Sequence, residues 1–304
     1  MRKPRKSRDM ANSNGAHNGH AEASTPAEVA RDLLNRHSRT GTAFWQGVVF
    51  GGVLFLLGVI GFLVRLIGDG FEGSISKAEW GFYAAMFAFF LTTATSAPMV
   101  AIAPRIAKAH WRRSISRAAE MWAAVGLFGL LLFIPMLWLL PPLTDERRSL
   151  WFFDANDPFY MNVPIYSPHI WATLALIALV ITGYMLLWLS ALPDFALMRD
   201  HGSGWRQRFA ARLSGRWIGT SAQWNMLNHR MGILGAFYFM MLVFVHFLIS
   251  VDFLMAIIPG WIDALFPATH AFNSLQAGVA TVMLTMIFMR QFGGYKDYIE
   301  LDQF

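Results

Sequence analysis

The chain has 304 residues, of which 55% are hydrophobic and only 14% charged, with a formal net charge of +6 and a mean hydropathy of +0.40. A soluble domain carries roughly a quarter charged residues, so this chain has too little polar surface to face water. The absence of cysteine excludes a disulfide scaffold, cysteine-held iron–sulfur clusters, CxxCH haem attachment and thiolate zinc sites.

The N-terminal 43 residues read as a tail in two parts. Residues 1–23 are basic and then rich in Gly, Asn, His and Ala, a composition that predicts disorder. Residues 25–37 predict a short helix: Thr25 caps it, Pro26 takes the first position and Glu28 closes a capping box. Val29, Leu33 and Leu34 then fall on one side, suited to the membrane interface or a partner subunit. No secretory cleavage pattern follows the basic start.

A bilayer core of about 30 Å needs about 20 apolar residues of helix. Six stretches reach that length: 44–68, 79–102, 119–141, 168–195, 228–258 and 270–290. The fold class is therefore all-α, a polytopic transmembrane helix bundle. Ser76 with Glu79 forms a second capping box, and Ser167 followed by Pro168 starts the fourth span. Pro98, Pro135 and Pro193 fall late in their spans, where proline kinks or ends a helix.

The basic residues alternate by loop. The tail, the second loop (Arg105, Lys108, Arg112, Arg113, Arg117) and the fourth (Arg199, Arg206, Arg208, Arg212, Arg216) carry most of them. The odd loops carry acids instead: Asp69, Glu72, Glu79, Asp145, Glu146, Asp154, Asp157 and Asp263. This pattern obeys the positive-inside rule and predicts both termini in the cytoplasm. The charge reports orientation, and no nucleic-acid partner is expected.

Ionisable groups inside spans are costly and mark candidate sites. Arg117 and Glu120 have the spacing of an on-helix ion pair, either an interfacial anchor or part of a proton path. Asp194 either caps, pairs with a nearby arginine or receives protons. Span five ends in His246, Ser250 and Asp252, with His246 and Ser250 on one helix face. Histidine near a carboxylate suits a quinol hydroxyl and its proton, and equally suits a hydrogen bond to a neighbouring helix. His169 and His270 begin spans four and six at the same membrane face. No facing pair of mid-span histidines supports haem b, and no close spacing motif supports a metal. The hydroxyls of Thr92, Thr93, Thr95 and Ser96 either line a hydrated path or bond back to their own helix.

The segments WRRSISRAAEMW (111–122), DPFYMNVPIYSPHIW (157–171), LISVDFLMAIIPGWIDALF (248–266) and GGYKDYIELDQF (293–304) together resemble the NrfD-like membrane subunits. That group includes the polysulfide reductase anchor, and the nearest likeness is to the F-type subunit of bacterial alternative complex III. The resemblance covers residues 44–304. It implies a helix bundle of the bacterial inner membrane without redox cofactors of its own. Such a subunit packs in lipid beside a second NrfD-like subunit, below periplasmic haem c and iron–sulfur subunits. The resemblance implies support of menaquinol oxidation, with the working quinol site either here or on the sister subunit, and buried polar residues proposed to carry protons. His246 and Asp252, carried over by position, together with His169 and His270 at the same membrane face, are the quinone-binding candidates. Arg117, Glu120, Asp194, His246 and Asp252 are the proton-path candidates. F-type subunits continue with further transmembrane helices, so residues 44–304 are expected to be the front portion of a longer bundle. The alternatives are a purely structural anchor of a NrfD-type reductase, and a secondary transporter, although no matched pair of broken helices is evident.

Overall fold

The computed structural model describes Thr25, Glu28, Arg31, Asp32, Leu34 and Asn35, then residues 42–68, 76–109, 113–138, 167–258, 261–296 and 298–299. The expected disorder of residues 1–23, the loop acids Asp69, Glu72, Asp145, Glu146, Asp154 and Asp157, and most of the 157–171 segment lie outside those residues. Every regular element among the described residues is helical. The expected all-α class is what the structure shows, with five helices long and apolar enough to cross a membrane, or six if a bent pair counts as one span.

Helix α1 (Thr42–Gly68) is the expected first span. It is apolar all round, and none of its most apolar stretch is buried within this chain. The second span is broken. Helix α2 (Lys77–Ala94) and helix α3 (Met99–Ile106) meet at an angle of 43°. Pro98 lacks an N–H, so the α-helical ladder cannot run through Thr95–Pro98. The carbonyl of Thr95 is taken instead by the phenol of Tyr238, at 2.6 Å. Pro98 is expected to kink or end the 79–102 span; the helix ends, four residues before the proline.

The third span is also irregular. Helix α4 (Arg113–Met121) passes through a tight 3₁₀ turn, Trp122–Val125, into helix α5 (Gly126–Trp138). Tyr184 donates to the carbonyl of Ala124 in that turn at 2.8 Å. Helix α6 (Ser167–His201) begins where Ser167–Pro168 predicted and runs six residues past the expected end. Its 35 residues span roughly 50 Å at 1.5 Å per residue, more than a bilayer core requires. Helix α7 (Gly204–Ser214) folds back along the surplus. Gln207 donates to the Arg199 carbonyl at 3.0 Å and Trp188 to the Leu213 carbonyl at 3.3 Å, which fixes the two strands of this helical hairpin.

Helix α8 (Ser221–Leu248) starts seven residues before the expected 228. Its cap is a box between Thr220 and Gln223, and the Gln223 side-chain oxygen also accepts from the backbone of Ile218 and Gly219. A π-helical turn, Ile249–Leu254, follows without a gap. Helix α9 (Phe266–Phe292) returns across the bundle, capped by Asp263, which accepts from the backbone of Leu265 at 2.9 Å and Phe266 at 3.2 Å.

The α6–α8 pair forms the spine, and α9 packs over both α2 and α8. The core is built from residues such as Phe87, Leu91, Phe133, Leu176, Tyr238 and Leu242. A smaller cluster of Ala97, Ala101, Ala119, Val282 and Met286 joins α3, α4 and α9. Two expected boxes are formed: Thr25 with Glu28 and Ser76 with Glu79. Tyr298 donates to Asp32 at 2.7 Å, so the segments before α1 and after α9 meet at one end of the bundle. Counting α2 with α3 as one span gives six candidate membrane-crossing segments among the described residues.

Candidate functional site

The spine helices carry polar groups to both ends of the bundle. Helix α6 runs from His169 towards Arg199, α8 runs the opposite way to His246, and α9 returns from His270 to Arg290. One end is therefore rich in arginine and the other in histidine.

At the arginine-rich end the expected Arg117–Glu120 pair is formed at 3.0 Å. It is part of a longer chain of charges. Arg105, from the last turn of α3, reaches the other oxygen of Glu120 at 2.8 Å. Arg117 also bridges to Asp194 of α6 at 2.9 Å. Glu120 is 1% exposed, Arg105 15%, Arg117 44% and Asp194 52%, so the network runs from the protein interior to its surface. A carboxylate as buried as Glu120 is tolerable only because both oxygens receive a guanidinium hydrogen bond. Arg105 entered the sequence reading only as loop charge. Its role is set by three-dimensional approach: the α3–α4 connection folds residue 105 back onto residue 120.

These residues border a cavity of about 1100 Å³, whose wall includes Arg105, Lys108, Arg117 and Glu120 from one side and Asn228 and His229 from the other. Lys108 closes α3 in the left-handed conformation, φ 57°, with the Ala109 N–H bonding back to the Pro104 carbonyl at 2.8 Å. A non-glycine residue there is uncommon; with the Lys108 N–H on the Arg105 carbonyl at 3.1 Å, the helix ends in a Schellman-type 6→1 and 5→2 closure.

At the histidine-rich end His246 is fully buried. Its Nδ1 lies 2.9 Å from the carbonyl of Leu242. A carbonyl only accepts, so in the neutral ring Nδ1 carries the proton and Nε2 keeps its lone pair. That nitrogen, like the hydroxyl of Ser250, has no hydrogen-bond partner among the described residues. The ring of His270 lies beside it, at 5.1 Å between centroids and tilted by 43°. His270 in turn faces Phe266 at 6.1 Å.

Asp252 lies in the π-helical turn and receives the indole N–H of Trp171 at 2.8 Å. The π turn inserts a residue into the helix period, so Ile249, Ser250, Asp252 and Phe253 are all buried. The structure thus groups His246 with His270, and Asp252 with Trp171 two residues after His169. Trp171 carried no functional weight in the sequence reading, since an aromatic in the first turn of a span is ordinary. Of the hydroxyl run, Thr92 and Thr93 bond back to Phe89 and Thr95 bonds back to Leu91.

His270 also lines a crevice of about 470 Å³. Gly81, Ala84, Ala85 and Ala88 of α2 form one wall, and Trp261 and Phe266 stand opposite. The small residues recur at helical spacing, which leaves a flat, shallow face. Among the described residues no three His, Asp or Glu side chains converge as a metal-binding group.

No family model matches the chain, and no curated protein matches it.

Proposed function

We propose that the chain is an NrfD-like membrane subunit of a quinol-oxidising electron-transfer complex, of the F-type kind found in bacterial alternative complex III. On this reading it spans the bacterial inner membrane with both termini cytoplasmic and the histidine-rich end towards the periplasm. It sits beside a second NrfD-like subunit, below periplasmic haem c and iron–sulfur subunits that take the electrons. Besides the sequence resemblance, one observation carries the reading: an apolar crevice with His270 in its wall and the buried His246 ring directly behind it.

A quinol is a flat apolar ring with a hydroxyl at each end, and its oxidation to quinone releases two electrons and two protons. A slot walled by glycine and alanine on one side and aromatics on the other suits the ring. An imidazole suits the hydroxyl, because its basic nitrogen accepts a hydrogen bond and then the proton. His270 is the contact group, and His246 offers the next basic nitrogen inward. The Arg105–Glu120–Arg117–Asp194 chain serves the opposite membrane face as the proton-handling end.

Purification with native partners tests membership of the complex. A multihaem cytochrome and a large iron–sulfur protein are expected, whereas a molybdopterin subunit alone would make the chain an anchor of a sulfur- or nitrogen-compound reductase. In the intact complex, His270→Ala and His246→Ala are expected to slow menaquinol oxidation on the order of 10²-fold, the scale of a lost acid–base group. If these variants and Asp252→Asn leave both the rate and the proton stoichiometry unchanged, the chain is a structural anchor that never touches quinol.

A further inference from the structure

The cavity at the arginine-rich end has a second property that proton handling does not use. Its lining holds three permanent cations, Arg105, Lys108 and Arg117, against one carboxylate, Glu120. Both oxygens of Glu120 are already taken, one by Arg105 and one by Arg117. Asp194 neutralises a further charge by pairing with Arg117 from beside the cavity. One net positive charge remains. The buried Nε–H of Arg105 has no acceptor among the described residues. A buried guanidinium N–H without an acceptor is the feature that an anionic oxygen satisfies.

Ser116, Ser190, Asn228 and His229 add polar groups, and the remaining part of the wall is apolar. Ile106, Leu227, Met231 and Ile233 line it, and Ile106 and Ile233 continue outward as exposed surface on membrane-spanning segments. Trp224 stands at the same wall, and an indole with one wet and one apolar edge is at home at headgroup depth. A soluble anion would have no use for the apolar strip, whereas an amphiphile uses both parts. The geometry points to a binding site for an anionic phospholipid, its phosphodiester held by Arg105 and Lys108 and its acyl chains laid along Ile106 and Ile233. Basic recesses between transmembrane helices bind lipid headgroups by this charge complementarity. The site is independent of the quinol reading, since it lies at the other end of the bundle.

The test uses the full chain, or the complex that contains it, in nanodiscs of phosphatidylcholine doped with phosphatidylglycerol. Lipid retained after transfer to detergent is identified by native mass spectrometry. Phosphatidylglycerol is expected to be retained over phosphatidylcholine on the order of tenfold, and Lys108→Gln to weaken its retention about fivefold, the scale of one basic residue at a membrane surface. Arg208→Gln, an exposed residue of α7 outside the cavity, is expected to change nothing. Equal retention of the two lipids, or no effect of Lys108→Gln, overturns the site. An equal loss in Arg208→Gln assigns the preference to general surface charge and overturns it as well. Displacement of the lipid by inorganic phosphate at equal concentration would make the cavity a simple anion site and remove the lipid from the proposal.

Discussion

Replacing Glu120 with alanine should destabilise the bundle more than any other change in its charge network. The side chain is 1% exposed and is held by two arginines, one of them, Arg105, only 15% exposed. Removing the carboxylate leaves the largely buried Arg105 guanidinium with no counter-charge. Breaking one partner of a buried pair in this way costs about 3–5 kcal/mol. Asp194 is the internal control. It takes the same Arg117 at a similar distance but is 52% exposed, so Asp194→Asn should cost about 0–1 kcal/mol. The double variant Arg105→Met with Glu120→Met removes both charges and should be clearly more stable than Glu120→Ala, because no uncompensated ion remains. Reversible unfolding in mixed micelles of mild detergent and increasing dodecyl sulfate, followed by far-ultraviolet dichroism, measures all three. The reasoning fails if Glu120→Ala and Asp194→Asn agree within about 0.5 kcal/mol, or if the double variant is as unstable as the single one.

Tyr238→Phe removes the donor that satisfies the buried Thr95 carbonyl and should cost about 1–3 kcal/mol in the same unfolding assay. Tyr184→Phe, which deletes a similar bond at a more exposed site, should cost less. Gly278→Ala would place a methyl 2.7–3.0 Å from backbone atoms of Ser96 and Ala97. Two backbones must separate to admit it, so a loss of about 1–3 kcal/mol is expected, with lowered yield of folded protein. The chain has no cysteine, so single cysteines at Asp32 and Tyr298 can be labelled with a membrane-impermeant maleimide in sealed vesicles. Both should react from the same face, and labelling from opposite faces would break the six-span count.

What the sequence disclosed follows from which forces act along the chain and which act across it. Length and apolarity of a span are properties of consecutive residues, so 44–68 and 270–290 came out within a few residues of α1 and α9. Capping boxes are equally local, which is why Ser76–Glu79 and Thr25–Glu28 were readable. The same rule marks Thr220–Gln223, whereas apolar counting discounts Gln223, Asn225, Asn228 and His229. The start of α8 was therefore placed too late. The partners of the candidate residues are set across the chain. Glu120 meets Arg105 fifteen residues away and Asp252 meets Trp171 across 81 residues. The π turn that buries Asp252 along with Ser250 leaves no mark in residue spacing.

The two irregular spans share one tyrosine. The hydroxyl of Tyr238 binds the broken turn at Thr95, and its ring lies against Gly183 of α6, where an added Cβ would stand 3.2 Å from the ring. The same Cβ would meet Ala123, in the 3₁₀ turn of span three, at 3.4 Å. Glycine at 183 therefore lets the tyrosine, α6 and the 3₁₀ turn come together, and the hydroxyl adds the break in span two. Glu120 lies three residues before Ala123, and His246 lies eight residues beyond Tyr238, roughly 12 Å along the helix. Phe87, Leu91, Phe133 and Leu242, all fully buried, belong to the core packed with that tyrosine. Between the polar groups at the two ends lies this apolar layer, in which the carbonyls of Thr95 and Ala124, at the two helix irregularities, accept from tyrosine hydroxyls. In a membrane, where water is scarce, such side-chain donors are what let a span bend at those points.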